Sequence, residues 1–315
     1  MAALADAVPR PDPSAGAWAA LLDVAGHGGD APAREEQGCA AASPWLCRSR
    51  AGTWEVHPDA PAGCRDLLSL YLPLVAGGAD AVWVVGHLGQ SLNGCIATRD
   101  GEASNAGFAV TGPENILHLH RMRALCDAVL VGAGTVAHDD PRLTTRLVPG
   151  NSPVRVVLDP RRRLAGHYQV FRDGAAPTLL CAGEDRRGPA PGHAELLAVP
   201  WGRDGLRLDL LLAGLAARGL KRLFIEGGGV TVSRFLAAGC LSRLQLAIAP
   251  LLIGQGRPGL HLPCCDRLAD ALRVAPHIYR MGHDLLYDID LSGGAPTLAH
   301  PRGWASGCAG IKQVL

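Results

Sequence analysis

The stretch VGAGTVAHDDPRLTTR, residues 131–146, packs two glycines, three threonines, adjacent carboxylates and two arginines into one segment. Gly132-x-Gly134-x-x-Ala137 fits the fingerprint of a dinucleotide-binding turn, where main-chain N–H groups at a helix start meet a pyrophosphate. In a Rossmann fold that turn feeds a helix of roughly a dozen residues. Here only Thr135–His138 separate Gly134 from Asp139-Asp140-Pro141, and proline disfavours helix in the residue before it, so about one turn fits at most. No acidic residue closes a following strand at the usual distance either. The Rossmann reading fails, yet a glycine turn remains at the end of the apolar run DAVLV. A second such turn, EGGG (226–229), ends the run RLFI.

A further constellation is a decoy. His193-Ala194-Glu195 copies the H-A-E of zinc deaminases, whose metal also needs a paired-cysteine motif such as P-C-x-x-C. The Pro-Cys here is Pro263-Cys264-Cys265, and adjacent thiols are not a ligand spacing. His118 and His120 stand two apart on a helical stretch and face different ways. Neither a metal nor a deaminase is expected.

The elements that must hold the two glycine turns are legible as apolar runs. AVWVVGHL (81–88), DAVLVG, PVRVVLD (153–159), APTLLCAG, AELLAVP, KRLFIEGGG, LSRLQLAIAPLLIG and DLLYDIDL (284–291) read as strands. Thr111-Gly112-Pro113-Glu114 reads as a capping box opening a helix, with Ile116, Leu119, Met122 and Cys126 as its apolar stripe. Residues 205–219 and VTVSRFLAAG read as helices stopped by Gly219 and Gly239. Strands alternating with helices predict an α/β domain with a mainly parallel sheet, whose ligands collect at the carboxyl ends of the strands. Residues 1–78 read as a small N-terminal extension of unassigned role, 79–291 as the α/β domain, and 292–315 as a tail.

Composition narrows the class further. The 315 residues carry a net charge of +1 and 48% hydrophobic residues, a balance that offers no field for nucleic acid or an anionic membrane. Neither a signal peptide nor a spanning helix is apparent, and ten cysteines without a C-x-x-C spacing suit reduced thiols in a cytoplasmic protein.

Five blocks occur in order: SLNGCIA (91–97), VGAGTVAHDDPRLTTR, RVVLDPRRR (155–163), IEGGGVTVSRFLAAG (225–239) and LQLAIAPLLIG (244–254). Together they resemble the reductase half of the bifunctional riboflavin-biosynthesis deaminase/reductase, over roughly residues 80–290. The resemblance implies a dihydrofolate-reductase-like fold, often in a homodimer, that uses NADPH to reduce the ribosylamino group of a pyrimidine 5′-phosphate. The substrate it implies first is 5-amino-6-(5-phosphoribosylamino)uracil, with hydride passing to C1′. It implies that Thr135 and Asp139, beside Gly132 and Gly134, contact the nicotinamide side, and that Arg123, Leu143, Arg146 and Glu226 contact substrate. Arginines suit the phosphate because a guanidinium binds two oxygens at once. It further implies a pyrophosphate loop of Gly228, Gly229, Val230, Thr231, Val232, Ser233 and Arg234, with Arg161 of the Arg161–Arg163 run near the 2′-phosphate. Glu226 and Asp139 are the expected catalytic residues.

The chain departs from that pattern near the reacting sugar. Where the family has S-L-D-G followed by Lys or Arg, Ser91-Leu92-Asn93-Gly94-Cys95 stands here. The family's Ser-x-Trp aligns with Gly107-Phe108-Ala109, with Ser104 close by, and a cofactor-contacting Ser is Pro160. Two alternatives therefore stay open: a reductase of another small molecule, and a non-catalytic nucleotide-binding relative.

Overall fold

The structure is a computed structural model that describes residues 13–26, 44–49, 53–76, 82–99, 109–203, 205–262 and 266–292. Ser104, Gly107, Phe108, the 263–265 segment and nearly all of the 292–315 tail lie outside the described residues. The helices are α1 (Pro13–Val24), α2 (Ala62–Val75), α3 (Pro113–Leu125), α4 (Ala133–Asp139), α5 (Gln169–Arg172), α6 (Leu208–Ala216) and α7 (Gly229–Ala237). The strands are β1 (Leu46–Arg48), β2 (Trp54–Val56), β3 (Trp83–Ser91), β4 (Cys95–Ala97), β5 (Ala128–Gly132), β6 (Val154–Leu158), β7 (Thr178–Gly183), β8 (Glu195–Val199), β9 (Trp201–Gly202), β10 (Gly205–Leu206), β11 (Arg222–Glu226), β12 (Arg243–Ala249), β13 (Arg257–Pro258), β14 (His277–Met281) and β15 (Asp284–Asp290).

Nine strands form the main sheet in the order β14-β15-β12-β3-β11-β5-β6-β7-β8. From β12 to β8 every pairing is parallel, while β15 and β14 add an antiparallel hairpin on one edge. Both faces are covered, so the strands read as unbroken apolar runs whose residues alternate between two cores. Val85, Val129, Val131 and Phe224 point to the core shared with α1, α2 and α3. Val84, Ala128, Leu130, Leu223 and Ile225 point to the core shared with α6 and α7.

Several local expectations are corrected. The capping box at the start of α3 does not form: Gly112 is the N-cap, Pro113 takes the first helical position, and no side chain caps the turn. Thr111 Oγ1 instead accepts from Asn115 Nδ2 at 2.9 Å, and Asp284 Oδ2 accepts from Gly112 N at 2.7 Å. Met122 and Cys126 of the expected stripe are buried and Leu119 packs against the same core, but Asn115, His118, His120 and Arg123 are buried beside them and Ile116 is only half-buried. The segment after Gly132 holds seven helical residues because α4 begins at Ala133, two residues ahead of the expected Thr135, and runs on to Asp139. Asp140 then closes it in the left-handed conformation, at φ 39°. The helix expected over 205–219 is shorter, since Gly205-Leu206 pair with β9 first. Strand β14 carried no alternation strong enough to be anticipated; as an edge strand it exposes His277, Ile278 and Arg280.

The polar face of α3 is satisfied by a chain of hydrogen bonds across the core. The Tyr71 hydroxyl meets His118 Nδ1 at 2.7 Å, and His118 Nε2 meets Gln245 Oε1 at 2.9 Å. Gln245 Nε2 in turn donates to Asp288 Oδ1 at 3.1 Å. An acceptor amide oxygen at Nε2 makes that nitrogen the donor, so His118 Nδ1 accepts from Tyr71. His87 Nε2 meets Asn115 Oδ1 at 3.1 Å in the same way. Burial holds His87 at about 4 and His118 at about 3, so both rings stay neutral in the folded protein.

An unfolded histidine takes up a proton below about 6.5. The stability contributed by the neutral rings is therefore whole above that value and drains as pH falls toward the folded-state values of about 3 and 4. Each ring steepens the loss by up to about 1.4 kcal/mol per pH unit. Urea unfolding between pH 7 and 5 should show a steeper decline for the parent chain than for His118→Gln; equal slopes would contradict the neutral assignment.

Candidate active site

Strands β5 and β11 lie side by side in parallel, Ile225 opposite Leu130, so their two glycine turns leave the same sheet edge together. The helices that follow depart to opposite faces. Val136 of α4 enters the core beside α1–α3, whereas Val232 of α7 enters the core beside α6. That parting opens a crevice at the strand ends, the place where ligands settle in parallel sheets. The crevice walls touch: a Cβ built on Gly228 would stand 2.9 Å from Thr135 Oγ1, and one on Gly132 would stand 2.6 Å from Thr231 Oγ1. Gly227 and Gly228, at φ 67° and 77°, adopt a backbone that other residues rarely take.

On the α3 side of the crevice stands the expected substrate cluster. Arg123 Nε donates to Glu226 Oε2 at 2.7 Å and Arg123 Nη2 donates to Glu226 Oε1, a bidentate pair with both side chains mostly buried. Arg123 Nη1 reaches the Thr144 carbonyl at 3.0 Å, and Arg146 Nη1 reaches Thr144 Oγ1 at 2.8 Å. Thr144 thus sets the two guanidinium groups against one another. The Arg146 main-chain N–H donates to His120 Nδ1 at 2.9 Å. Burial, with the Arg123 and Arg146 charges, holds His120 down at about 4, so the acceptor nitrogen keeps its lone pair. Leu143 lies in the same loop at φ 56°, with its side chain buried in the core.

On the cofactor side, Thr135 and Asp139 stand four residues apart and so share one face of α4, with Asp139 exposed at its end. Gly134, just before Thr135, is exposed as well. Of the pyrophosphate loop, Gly228 caps α7, Gly229 lies against the main chain of Pro258 and Gly259, and Val230 is exposed. The Val232 side chain is buried, and the Ser233 hydroxyl accepts from His261 N at 2.8 Å. Those two therefore offer the crevice main-chain atoms at most. The Arg234 guanidinium lies over Gly205 of β10. Arg161 stands apart, in a cleft of about 400 Å³ beyond the ends of β6 and β7 lined by Arg161, Arg162, Arg186 and Arg187. Arg162 is spent on structure, donating to the Arg187 carbonyl at 2.7 Å and to the Pro189 carbonyl.

The altered 91–95 block is an anchor. Asn93 Oδ1 accepts from Ser91 Oγ at 2.8 Å and from Ile253 N at 3.0 Å, while Asn93 Nδ2 donates to the Ile253 and Gly254 carbonyls. Cys95 is buried against Gly254, its Sγ 3.8 Å from that carbonyl. Sequence reasoning missed His120 and Thr144 as members of the cluster. His120 resembled any helix histidine, and nothing local distinguishes Thr144 from Thr145. The H-A-E decoy resolves into Glu195 of β8 paired with Arg218 at 3.0 Å.

A mainly parallel sheet covered on both faces, with glycine turns at adjacent strand ends and an arginine–carboxylate cluster beside them, defines an α/β domain with a ligand crevice at its strand ends. Residues 82–264 match the profile of the RibD C-terminal domain, and the chain belongs to that family. It is 35% identical over 222 residues to the 2,5-diamino-6-ribosylamino-4(3H)-pyrimidinone 5′-phosphate reductase of Methanothermobacter thermautotrophicus, an alignment covering 67% of this chain and 99% of that one. It is 34% identical to the riboflavin biosynthesis protein RibD of Bacillus amyloliquefaciens, over 52% of this chain and 44% of that protein. Among solved structures, Acinetobacter baumannii RibD superposes with a TM-score of 0.58 at 22% identity, covering 72% of this chain and 62% of that one. The Saccharomyces riboflavin biosynthesis reductase superposes with a TM-score of 0.57 at 18% identity, covering 71% and 97%. These two carry the fold.

Removing one partner of a mostly buried ion pair strands the other charge, a loss of roughly 3–5 kcal/mol, whereas removing both costs less. Chemical denaturation should therefore find Arg123→Met more damaging than Arg123→Met combined with Glu226→Leu. Additive losses would mean that the pair is not coupled.

Proposed function

We propose that the chain is an NADPH-dependent reductase of a ribosylamino-pyrimidine 5′-phosphate, transferring hydride to C1′ of the sugar in its ring-opened imine form. The C=N π bond gives way to an amine as the nitrogen takes a proton from water. The observation that carries this reading is the contact between the two glycine turns across one crevice, with the Arg123–Glu226 pair on its substrate side. The nearly full-length match to the archaeal reductase favours the diaminopyrimidinone form of the substrate over the uracil form read first from the sequence.

The crevice fits the cofactor by a test of space. At Gly228 any side chain would fill the gap to Thr135, so the bare main chain is what lets a pyrophosphate approach the first turn of α7. Gly229, Val230 and Thr231 continue that turn, Gly132, Gly134, Thr135 and Asp139 border the nicotinamide end, while the Arg234 guanidinium lies over Gly205. Bound there, the reduced nicotinamide supplies the hydride. Arg161, in the arginine-lined cleft, meets the 2′-phosphate. On the other wall Arg146 binds the substrate phosphate, and the Leu143 main chain supports the pyrimidine. Arg123 holds the Glu226 carboxylate in one orientation toward the sugar hydroxyls. Asn93 and Cys95 anchor the 253–254 turn instead of donating to the sugar.

Absorbance at the reduced-nicotinamide band, followed with the diaminopyrimidinone and uracil substrates in turn, tests the assignment. Turnover of either supports the reductase; NADPH binding without turnover of either would leave a nucleotide-binding relative. Gly228→Ala should weaken NADPH at least about tenfold, because strain at positive φ adds about 1–2 kcal/mol to the lost approach. Arg161→Ala should lower affinity for NADPH by roughly tenfold while leaving NADH unchanged, as the loss of one charge-assisted phosphate contact predicts. Parallel losses for both nucleotides would remove Arg161 from that role.

A further inference from the structure

The family match begins at residue 82, and the archaeal relative is matched over almost its whole length by 67% of this chain. Helices α1 and α2 lie outside that match, yet they are built into the core beside α3. Helix α1 reaches past α3 to the loop that carries Arg146. Trp18 Nε1 donates to the Pro149 carbonyl at 3.0 Å. Gly150, at φ 131°, is pressed between α1 and α3: a Cβ there would stand 2.7 Å from Ala124 Cβ and 3.2 Å from Leu22 Cδ2. The Trp18 ring is itself fixed, edge-on to Tyr71 at 5.9 Å and beneath the Arg121 guanidinium at 5.8 Å.

The loop between those contacts is internally closed. Thr145 N donates to Ser152 Oγ at 3.1 Å and Thr145 Oγ1 donates to the Asn151 carbonyl at 3.0 Å. Its near end is tied to α3 by the bond from Arg146 N to His120. Its far end is tied to α1 by Trp18 alone among the described side-chain hydrogen bonds to Pro149. A loop pinned at one end pivots; a loop pinned at both holds its arginine in one place.

We propose that α1 is a positioning element for substrate, with Trp18 and Leu22 clamping residues 149–150 so that Arg146 is held ready for an anionic group. This rests on the assignment of Arg146 to the substrate side. Trp18 touches neither substrate nor cofactor and acts through the loop.

Trp18→Phe keeps an aromatic ring on Tyr71 and removes the N–H. In the full chain it should raise the KM for the pyrimidine phosphate roughly three- to tenfold, the worth of one neutral hydrogen bond, with kcat and the NADPH KM within about twofold. Amide hydrogen exchange over residues 144–151 should quicken by a similar factor while β5 and β11 stay protected. Leu22→Val, a milder change, should move both readouts in the same direction to a smaller extent. Loop exchange identical to the parent's, or a faster loop with unchanged substrate KM, overturns the proposal. If the parent chain reduces neither pyrimidine, the functional assignment falls, while the exchange rates still decide whether Trp18 holds the loop.

Discussion

The parting of two helices from adjacent parallel strands is the constraint on which the rest depends. Strands β5 and β11 are held in register by main-chain hydrogen bonds, and α4 and α7 bury their apolar faces on opposite sides of the sheet. Two chains cannot leave the same edge in opposite directions without opening a gap between them. Glycine at 132 and 228 is what keeps that gap from closing or clashing, because Thr231 and Thr135 already stand where a Cβ would go. Removing side chains at this point exposes main chain to whatever enters.

A buried ion pair then stands on the α3 wall. Arg123 comes from α3 and Glu226 from the end of β11, far apart in sequence, and their bidentate pair fixes the carboxylate that a free glutamate would leave mobile. The cost of burying that pair is offset by the Thr144 carbonyl, which takes the remaining Nη1 donor. Thr144 also receives Arg146, so two cations share one residue. His120 can serve the same loop because burial keeps it neutral and able to accept a proton-bearing nitrogen.

Behind that wall, α3 is packed on both sides by groups that leave little play. The Tyr71–His118–Gln245–Asp288 chain crosses from α2 to the antiparallel hairpin, and every step is a buried donor meeting a buried acceptor. Such a network tolerates one register and no other, since a slip strands several polar groups at once. The N-terminal helices are thereby part of the same body as the crevice, although the family profile does not include them.

The sequence by itself determined eight of the nine strands of the main sheet, the two glycine turns and the family, because apolar runs, glycine at strand ends and the Asp-Asp-Pro stop are local properties of neighbouring residues. Arg146 and Glu226 fall within the blocks read from the sequence, whereas Arg123 lies outside them and reaches Glu226 only through the fold. The buried polar residues of α3 were not legible, because periodicity looks for apolar positions such as Met122 and Cys126 and is blind to a hydrogen-bonded network that buries Asn115 and His118 beside them. The capping box failed for a related reason: Asp284, from a strand 170-odd positions on, bonds the Gly112 N–H in its place. Tertiary structure alone decided that Val232 and Ser233 turn away from the crevice, that Asn93 and Cys95 anchor a turn, and that Trp18 reaches Pro149. Each of those depends on which distant segment arrives alongside, and distance in space is what a linear pattern does not encode.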